Sequence, residues 1–341
     1  MRAPKATPWV QRPDAAACRL PRVVTEAWSI DLDRHLPAAV AAVAAHLART
    51  PLERAPKLGD RVWIKRETEL PTGAFKVRGA LAALSARSVE IRERGAVAAS
   101  AGNHGLGMAW AARALGLRVR IHVPASAPRV KVEGIRTLGA EVHEVAHGGY
   151  DAAEDAALRD AARTGAPFIS PYDDPDVACG NGGTIGLEVL DALPDCATLV
   201  TPVGGGGLLL GLDAARRARG SAARIVGVQT EASPVMLLSL ARGSAIERFE
   251  PDVPTLAEGL EGGVARTTFA HVAALRAATL VSVSEAEIAA AMRFSRDELG
   301  YVLEGSAAVG VAFARARARF FDGEMVVLLT GRNVDGDGLA T

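Results

Sequence analysis

The segment ATLVTPVGGGGLLLGLDAARRARG, residues 197–220, joins a β-rich apolar run to a helical pattern through four consecutive glycines. Backbone N–H groups at the start of a helix form an anion site, and glycine lets a phosphate approach the backbone closely. A tight strand-to-helix turn also needs small residues, but four glycines exceed what such a turn requires. We therefore expect a phosphate site where this helix begins, formed by Gly204, Gly205, Gly206, Gly207 and Leu208.

The same glycines permit a second interpretation, an NAD-binding oxidoreductase. Gly205, Gly207 and Gly211 have the spacing GxGxxxG, which differs by one residue from the dinucleotide fingerprint GxGxxG. Glu231 follows the next β-rich run, about where that fold places the acid that binds the ribose. This interpretation leaves the motifs PTGAFK and SAGNHG without a purpose.

Strand-like and helix-like segments alternate along most of the chain, which favours parallel sheets wound with helices. A helix is predicted from Leu36 to Arg49, and the segments GLGMAWAARALG and YDAAEDAALRDAART also have helical patterns. The predicted strands are residues 61–65, 95–100, 118–123, 141–146, 197–203, 224–229, 279–284 and 324–330.

This alternation predicts an α/β protein with two domains, each an open, twisted, mostly parallel sheet wound with helices. Residues 1–94 and 171–341 are expected to form a large domain that carries the phosphate site, and residues 95–170 a smaller domain on the substrate side. Ligands of such folds bind beyond the carboxyl ends of the strands. We therefore expect the ligand in the cleft between the two domains.

The composition argues against several classes of function. Lys and Arg together number 39, as do Asp and Glu, so the zero net charge gives no support for a nucleic-acid or membrane partner. The first twenty residues resemble an irregular arm without the apolar core of a secretory signal, so a cytoplasmic protein is expected. Cys18, Cys179 and Cys196 are far apart, so neither a disulfide framework nor a cysteine zinc site is expected.

Three further motifs place polar residues where predicted strands and helices meet. ETELPTGAFKVRGA (67–80) holds Lys76 between a Pro-Thr-Gly turn and a helical run. SAGNHG (100–105) follows one strand and opens the next helix, a favourable place for a carboxylate, although ordinary capping also explains its Ser and Asn. LLTGRNVDG (328–336) ends another strand at Thr330 and points a hydroxyl into a strand-end cleft.

Taken together and in this order, these segments resemble the fold type II pyridoxal-phosphate enzymes, in the branch of the serine/threonine dehydratases and serine racemases. The resemblance extends from Thr50 to Asp335 and includes DDPDVACGNGGTIGLEVL and VLEGSAAVG as well as the motifs above. It implies pyridoxal 5'-phosphate as the cofactor, bound in the cleft, and an amino acid as the substrate. It also implies a homodimer or a higher homo-oligomer.

The resemblance assigns a role to each candidate residue. Lys76 forms the Schiff base with the cofactor and takes the substrate's α-proton, and its neighbour Phe75 lies beside the cofactor. Asn103 contacts the ring hydroxyl, the glycine segment holds the phosphate, and Thr330 meets the pyridine nitrogen. Glu304 orients these groups from outside the direct contacts, or is a solvated glutamate at the start of a helix. The substrate-binding residues are expected to be Ser100, Ala101, Gly102, Asn103 and His104.

The predicted reaction is the elimination of water from a 3-hydroxy amino acid, which gives a 2-oxo acid and ammonia. Serine racemases carry a serine where this chain has Ala101, and alanine cannot transfer a proton, so racemisation is the alternative rather than the prediction. His104 replaces the threonine of the β-replacement enzymes and is interpreted as a packing or hydrogen-bonding residue. Leu106 and GNGGT (180–184) also depart from the family pattern, so a bulkier analogue is as plausible a substrate as threonine.

No metal site is predicted. Glu231 matches the first carboxylate of a divalent-cation site in some members, but the second falls at Leu237, which cannot ligate a hard cation. HEVAH (143–147) matches the zinc-protease motif HExxH, yet it alternates like a strand, in which its two histidines lie about 13 Å apart. The sequence ends just after LLTGRNVDG, where biosynthetic threonine deaminases continue into a regulatory domain, so feedback inhibition of that type is not expected.

Overall fold

The computed structural model describes residues 31–334, so the N-terminal arm, Cys18 and the last two residues of LLTGRNVDG lie outside the described residues. The strands of this part are β1 (Leu52–Arg54), β2 (Val62–Arg66), β3 (Ala96–Ala99), β4 (Val119–Pro124), β5 (Glu141–Val145), β6 (Cys196–Pro202), β7 (Arg224–Thr230), β8 (Ala278–Val283) and β9 (Glu324–Leu329). The helices are α1 (Leu32–Ala44), α2 (Lys76–Ala86), α3 (Ser88–Arg94), α4 (Asn103–Leu115), α5 (Arg129–Thr137), α6 (Tyr150–Thr164), α7 (Pro175–Ala178), α8 (Thr184–Ala192), α9 (Gly207–Ala218), α10 (Val235–Arg242), α11 (Arg266–Ala274), α12 (Glu285–Phe294) and α13 (Gly305–Arg317). None of the helices described is long and apolar enough to cross a membrane.

The larger sheet has the strand order β1-β2-β9-β6-β7-β8. Only β1 runs antiparallel to its neighbour, and the other pairs are parallel. Successive side chains of a strand point to opposite faces, and in β6 Leu199 packs into the core with α1, α8 and α9, whereas Val200 packs with α12 and α13. Helices therefore cover both faces, and the strand order is not that of a dinucleotide-binding sheet.

The smaller sheet consists of β3, β4 and β5, all parallel. Helices α4 and α5 pack on one face, and α6 covers the other with Ala157 and Ala161. Helix α2 contacts both layers, because Leu81 and Leu84 belong to the core of the smaller sheet while Ala82 belongs to that of the larger one. The predicted domain boundaries, 1–94 and 171–341 against 95–170, stay a prediction.

The α/β class and the two mostly parallel sheets wound with helices are confirmed. Each of the eight predicted strands is present with its ends within one residue of the expected position, and α6 coincides with YDAAEDAALRDAART. Strand β1 was not predicted, because three residues are too few to show an alternating pattern.

The boundaries predicted for the first helix, Leu36 to Arg49, are wrong. Helix α1 already begins after Asp31, whose side chain accepts a hydrogen bond from the Arg34 N–H and caps the helix. It ends at Ala44, ahead of Thr50, whose backbone is held elsewhere: its N–H donates to Glu188 at 3.3 Å. The helical propensity of the following residues is overridden by this tertiary contact.

Candidate active site

Lys76 is the first residue of α2, and the turn before it is attached to the end of β9. The Phe75 N–H donates to the Thr330 carbonyl oxygen at 3.0 Å. Ala74 forms an antiparallel bridge with Gly331. The motifs PTGAFK and LLTGRN, which are 255 residues apart at Phe75 and Thr330, are therefore in direct contact.

The Lys76 side chain is partly buried, and its amine lies between a backbone carbonyl group and an aromatic ring. Its Nζ donates to the Pro171 carbonyl oxygen at 3.0 Å and lies 5.2 Å from the centroid of the Phe75 ring. Burial lowers the pKa of Lys76 to about 8, and the negative charge of Glu304 opposes the shift only in part. A substantial fraction of this amine is therefore neutral near physiological pH.

Helix α4 begins at Asn103, as the SAGNHG motif predicted, and packs closely on the start of α2. A Cβ atom at Gly107 would lie 3.0 Å from the carbonyl carbon of Lys76, so glycine allows the two helices to approach this closely without strain. Before the helix, Ser100 Oγ accepts a hydrogen bond from the Gly102 N–H at 3.1 Å. The helix thereby brings its N-terminus, with its partial positive charge, close to Lys76.

The Asn103 side chain links the smaller sheet to the larger one. Its Nδ2 lies 2.9 Å from each carboxylate oxygen of Glu304, to which it donates. Its Oδ1 accepts from Asn333 Nδ2 at 2.7 Å, and the same nitrogen donates to the Thr72 carbonyl oxygen at 2.8 Å. The Asn103 side chain is thus held by Glu304, just before α13, and by Asn333, beyond β9, which is itself bound to the turn before Lys76.

Glu304 is a buried carboxylate beside the amine of Lys76. Burial raises the pKa of Glu304 to about 6, although the hydrogen bonds from Asn103 and from the Asn333 backbone act in the opposite direction. A Cβ atom at Gly331 would lie 2.4 Å from Glu304 Oε1, so the carboxylate is seated directly against the backbone. The side chain is therefore fixed in position and bears its charge above about pH 6.

His104 is buried, with 3% of its surface exposed. Its Nε2 lies 3.1 Å from the Ile169 carbonyl oxygen, which can only accept, so the proton is assigned to Nε2. Among the residues described, Nδ1 has no hydrogen-bond partner. Burial, and next the positive charge of Lys76, lower the pKa of His104 to about 3, so the ring is neutral and offers one acceptor.

The glycine segment lies between β6 and α9. The helix begins at Gly207, one residue before the expected start at Leu208, and Gly206 precedes it with a φ of +97°, where glycine is favoured. None of the backbone N–H groups of residues 204–208 donates to another residue of the described part. These donors lie at a helix N-terminus and are available to an anion.

Tyr172 connects the glycine segment to Lys76. A Cβ atom at Gly205 would lie 2.4 Å from Tyr172 Cγ, and one at Gly207 would lie 2.7 Å from the Tyr172 carbonyl oxygen. The preceding residue, Pro171, accepts the hydrogen bond from Lys76. The glycine segment and the lysine therefore lie on the two sides of one short piece of chain.

Three residues of this region, Pro171, Tyr172 and Asn333, had no predicted role. The segment SPYDD (170–174) brings the chain from the smaller sheet back to the larger one, and such a crossing is the signal that would have found it. It is anchored by Thr268, whose hydroxyl donates to the Asp173 carboxylate at 2.8 Å. Asn333 lay in a quoted motif, but its partners come from distant parts of the sequence.

The segment GNGGT is buried between α2 and α9. Asn181 Oδ1 accepts from the Gly79 N–H at 2.8 Å, and a Cβ atom at Gly182 would lie 2.0 Å from the Leu208 carbonyl oxygen. These glycines bring the helix that carries Lys76 close to the helix that follows the glycine segment. Any effect of this segment on the substrate is exerted through helix packing.

The two histidines of HEVAH have structural surroundings. His143 lies in β5 and His147 beyond its end, which confirms the strand expected for HEVAH. The ring of His143 stacks on that of His122, with centroids 4.8 Å apart. Within residues 31–334 no cluster of three or more His, Cys, Asp or Glu could hold a metal ion.

A family model described as "Pyridoxal-phosphate dependent enzyme" matches residues 43–331 of the chain. The chain belongs to this family. The match includes all the candidate residues from Lys76 to Thr330, and it favours the pyridoxal-phosphate interpretation of the glycines over the NAD-binding one.

Relatives within and around this family include lyases and a racemase. The chain is 40% identical to the L-threonine ammonia-lyase of Thermotoga maritima over 81% of its own length and 68% of that protein. It is similar to the structure of processed threonine deaminase isoform 2 from Solanum lycopersicum, with a TM-score of 0.83, 33% identity and coverage of 91% and 92% of the two chains. Maize serine racemase has a TM-score of 0.81 and 27% identity, with 89% and 93% covered.

The site of this pyridoxal-phosphate-dependent enzyme fits its cofactor on its own structural features. The N–H groups of residues 204–208 lie at a helix N-terminus and have no acceptor within the described residues, so they can bind an anion. Lys76 offers an amine whose lowered pKa favours the neutral, nucleophilic form. Thr330, 1% exposed, lies directly beside Phe75. Phosphate donors, an amine and a hydroxyl are the groups that this cofactor requires.

Proposed function

We propose that this protein is a pyridoxal-phosphate-dependent ammonia-lyase. It removes water from a 3-hydroxy amino acid, threonine, serine or a bulkier analogue, and releases a 2-oxo acid and ammonia. The single observation that carries the proposal is the buried amine of Lys76, with its pKa near 8, in a cleft next to a helix N-terminus with free N–H groups. The threonine ammonia-lyases among its relatives support the same reaction.

The cofactor would be held at both ends by this chain. Lys76 would bind its aldehyde carbon, and the N–H groups of residues 204–208 would bind its phosphate. Asn103 would meet the ring hydroxyl and Thr330 the ring nitrogen. Bound in this way, pyridoxal phosphate supplies the electron sink that stabilises negative charge on the α-carbon of an amino acid.

Lys76 would act as the base of the reaction. The Lys76 Nζ would take the substrate's α-proton, which requires the neutral form that burial favours. Glu304 lies close enough to influence this amine electrostatically and holds Asn103 through hydrogen bonds to both of its oxygens. We therefore assign Glu304 the role of orienting Asn103.

The substrate carboxylate would lodge at the N-terminus of α4, at residues 100–104. Backbone N–H groups and the positive end of the helix dipole favour an anion there. The bare Nδ1 of His104 is an acceptor and would repel a carboxylate, so the contact is assigned to the backbone and to Ser100 rather than to this ring.

Elimination is favoured over racemisation by the shortage of a second acid or base near Lys76. Racemisation needs a proton donor on the face of the substrate opposite the lysine. Ala101 has no ionisable group, and His104 is held neutral with its N–H on the Ile169 carbonyl oxygen. The similarity to maize serine racemase keeps racemisation as the second candidate.

A panel of 3-hydroxy amino acids tests the proposal. The purified protein should show a visible cofactor band, release a 2-oxo acid from at least one of them, and lose both on Lys76→Ala. Incubation of the same amino acids in D2O, followed by chiral chromatography, provides the comparison with racemisation. Deuterated substrate of inverted configuration without 2-oxo acid would establish the racemase instead, and a cofactor band without either product would leave only a binding protein.

We also propose that the enzyme works as a cytoplasmic homodimer or higher homo-oligomer. The family resemblance supports the assembly, and the bacterial threonine ammonia-lyases among its relatives support the compartment. Light scattering on the protein as it elutes from a size-exclusion column measures the oligomeric state. Fractionation of the cells that produce the protein tests the compartment. A monomeric mass at all concentrations, or recovery outside the cytoplasm, would contradict the respective proposal.

A further inference from the structure

Four charged residues form a cluster behind α2, on the side away from the cleft. Arg78 and Glu67 are fully buried, Lys65 is 1% exposed, and Glu188 is mostly buried. We call this set the buried charge cluster. Its two positive and two negative charges cancel, and the residues come from α2, β2, the turn at Glu67–Glu69, and α8.

Arg78 is the centre of the cluster. Its Nε and Nη2 donate to the two carboxylate oxygens of Glu67 at 2.7 and 3.1 Å. Its Nη1 and Nη2 donate to the two oxygens of Glu188 at 2.7 and 3.1 Å, and Nη1 also lies 3.2 Å from Thr184 Oγ1. The guanidinium therefore forms two paired, forked contacts that fix its plane as well as its position.

Lys65 completes the cluster from the neighbouring strand. Its Nζ donates to Glu188 at 2.5 Å and to the Thr50 carbonyl oxygen at 2.7 Å. Thr50 in turn donates through its hydroxyl to Glu67 at 2.6 Å. Every charge in the cluster thus has an opposite charge and further hydrogen bonds, which is the condition for burying ions without a large penalty.

The cluster acts on the same turn of helix that carries Lys76. Arg78 follows Lys76 by two residues, so the two side chains point about 200° apart around the helix axis. Lys76 faces Pro171, while Arg78 is held by the turn at Glu67–Glu69 and by α8 on the opposite side. Two forked contacts on one arginine resist rotation of the first turn of α2, and such a rotation would swing the Lys76 amine away from Pro171.

Burying four charges is not required for stability alone. Well-packed apolar side chains of similar volume often stabilise a core equally well, whereas forked ion pairs determine orientation. We propose that Arg78, held by Glu67 and Glu188, is a positioning residue that sets the orientation of α2 and places the Lys76 amine for covalent attachment of the cofactor. The inference rests on the proposed function, since it treats Lys76 as the attachment residue.

The test compares two charge-balanced double variants of the apoprotein. R78M/E67Q removes one cation and one anion and leaves the pair of Lys65 and Glu188 intact. R120M/D160N is the matched control, because Arg120 of β4 and Asp160 of α6 form a mostly buried ion pair, 2.7 Å between Nε and the carboxylate, in the smaller sheet. Uptake of pyridoxal phosphate is followed by absorbance, the product is reduced with borohydride, and the modified lysine is identified by peptide mass spectrometry. Circular dichroism reports the folding of each variant.

The expected result is a loss of attachment in a folded protein. R78M/E67Q should attach the cofactor to Lys76 at least tenfold more slowly than the wild type, while the control stays within twofold. R78K separates charge from geometry: a lysine keeps the charge but cannot form the fork, so this variant should resemble R78M/E67Q. A purely structural role would lower the melting temperature of the variants and leave the attachment rate of their folded fraction unchanged.

Each remaining outcome decides between the two proposals. Wild-type protein that does not attach the cofactor at Lys76 would contradict the proposed function, and the positioning role with it. Wild-type attachment together with an unchanged rate in R78M/E67Q, or a wild-type rate in R78K, would overturn the positioning role alone. If neither Arg78 variant folds, the cluster is a requirement for folding, which also overturns it.

Discussion

Lys76 is an amine whose availability is determined by its surroundings. It is placed between Phe75 and the Pro171 carbonyl oxygen, where burial makes its ammonium form less favourable than in water. The buried carboxylate of Glu304 prevents a still larger shift. The residue is therefore prepared for attachment to a carbonyl compound at ordinary pH.

Attachment of pyridoxal phosphate to the apoprotein should depend on pH with a midpoint near 8. The reaction needs the neutral amine of Lys76, whose pKa is lowered to about 8. The neutral fraction of such a group rises about tenfold between pH 7 and pH 9 and then levels off. Stopped-flow absorbance measures the rate, with Lys76→Ala as the control that should show no attachment. A rate that continues to rise towards about pH 10, as for an exposed lysine, would disprove the role of burial.

His104 should not contribute an ionisation to the pH profile of turnover. Its pKa is lowered to about 3, so it stays neutral across the range in which the enzyme would work. His104→Gln should reduce kcat/KM by no more than about tenfold, the worth of one neutral hydrogen bond. Steady-state kinetics from pH 5 to pH 9 on both proteins provide the comparison. The disappearance of an inflection in the variant would show that the ring titrates during catalysis.

At the scale of the elements, two surroundings account for the glycine segment: the start of α9 and the neighbouring Tyr172. Its N–H groups are free for an anion, and Tyr172 occupies the space that side chains at Gly205 and Gly207 would need. Gly204 is less constrained, because the nearest atom to a Cβ there is Leu260 Cα at 3.3 Å. The structural requirement for glycine therefore differs among the four positions of the segment.

Gly205→Ala should weaken cofactor binding more than Gly204→Ala does. The new methyl group at residue 205 would displace Tyr172, which overpacks the site and lowers the free energy of unfolding by about 1–3 kcal/mol. We expect the Kd for pyridoxal phosphate to rise at least about tenfold, the equivalent of about 1.4 kcal/mol. Fluorescence titration of both apoproteins measures it. Equal losses in the two variants would mean that Tyr172 does not set the shape of the segment.

At the scale of the whole molecule, the site is assembled from both sheets. Asn103 follows the first strand of the smaller sheet, whereas Glu304 and Asn333 belong to the larger one. A salt bridge of 3.6 Å between Lys131 of α5 and Glu258 adds a second contact between the two layers. The exposed position of Glu258 makes this pair a weak contributor to stability.

Removal of pyridoxal phosphate should lower the melting temperature of the protein. A ligand that binds only the folded state at about 100 times its Kd stabilises it by about 2.7 kcal/mol. Differential scanning calorimetry with and without the cofactor measures the shift, which should be smaller for Lys76→Ala and smaller still with inorganic phosphate alone. Identical melting temperatures with and without cofactor would contradict a site that joins the two sheets around it.

Much of the fold could be predicted from the sequence, and the reason lies in burial. The strands of both sheets are short apolar runs covered by helices on each face, so their positions are visible locally and were predicted within one residue. The predicted end of α1 was wrong because Glu188 binds the backbone of Thr50, and helical propensity contains no information about this contact. Local pattern determines where elements lie, and long-range contacts determine where they end.

The candidate site divides in the same way. The ends of predicted elements carry Lys76, Asn103, the glycine segment and Thr330. Their motifs alone are enough to show the resemblance to the family. Only the tertiary structure decided how these groups are oriented: Pro171 receives the lysine, Tyr172 shapes the glycine segment, and Asn333 holds Asn103.

Arg78 shows the physical reason most clearly. In KVRGA it looks like an ordinary helical arginine, and it is fully buried only because Glu67 and Glu188 meet it. Motifs at the ends of elements can be recognised because the carboxyl ends of parallel strands all lie at one edge of a sheet. The burial and pairing of a charge depend on partners up to 110 residues away, which only the folded chain brings together.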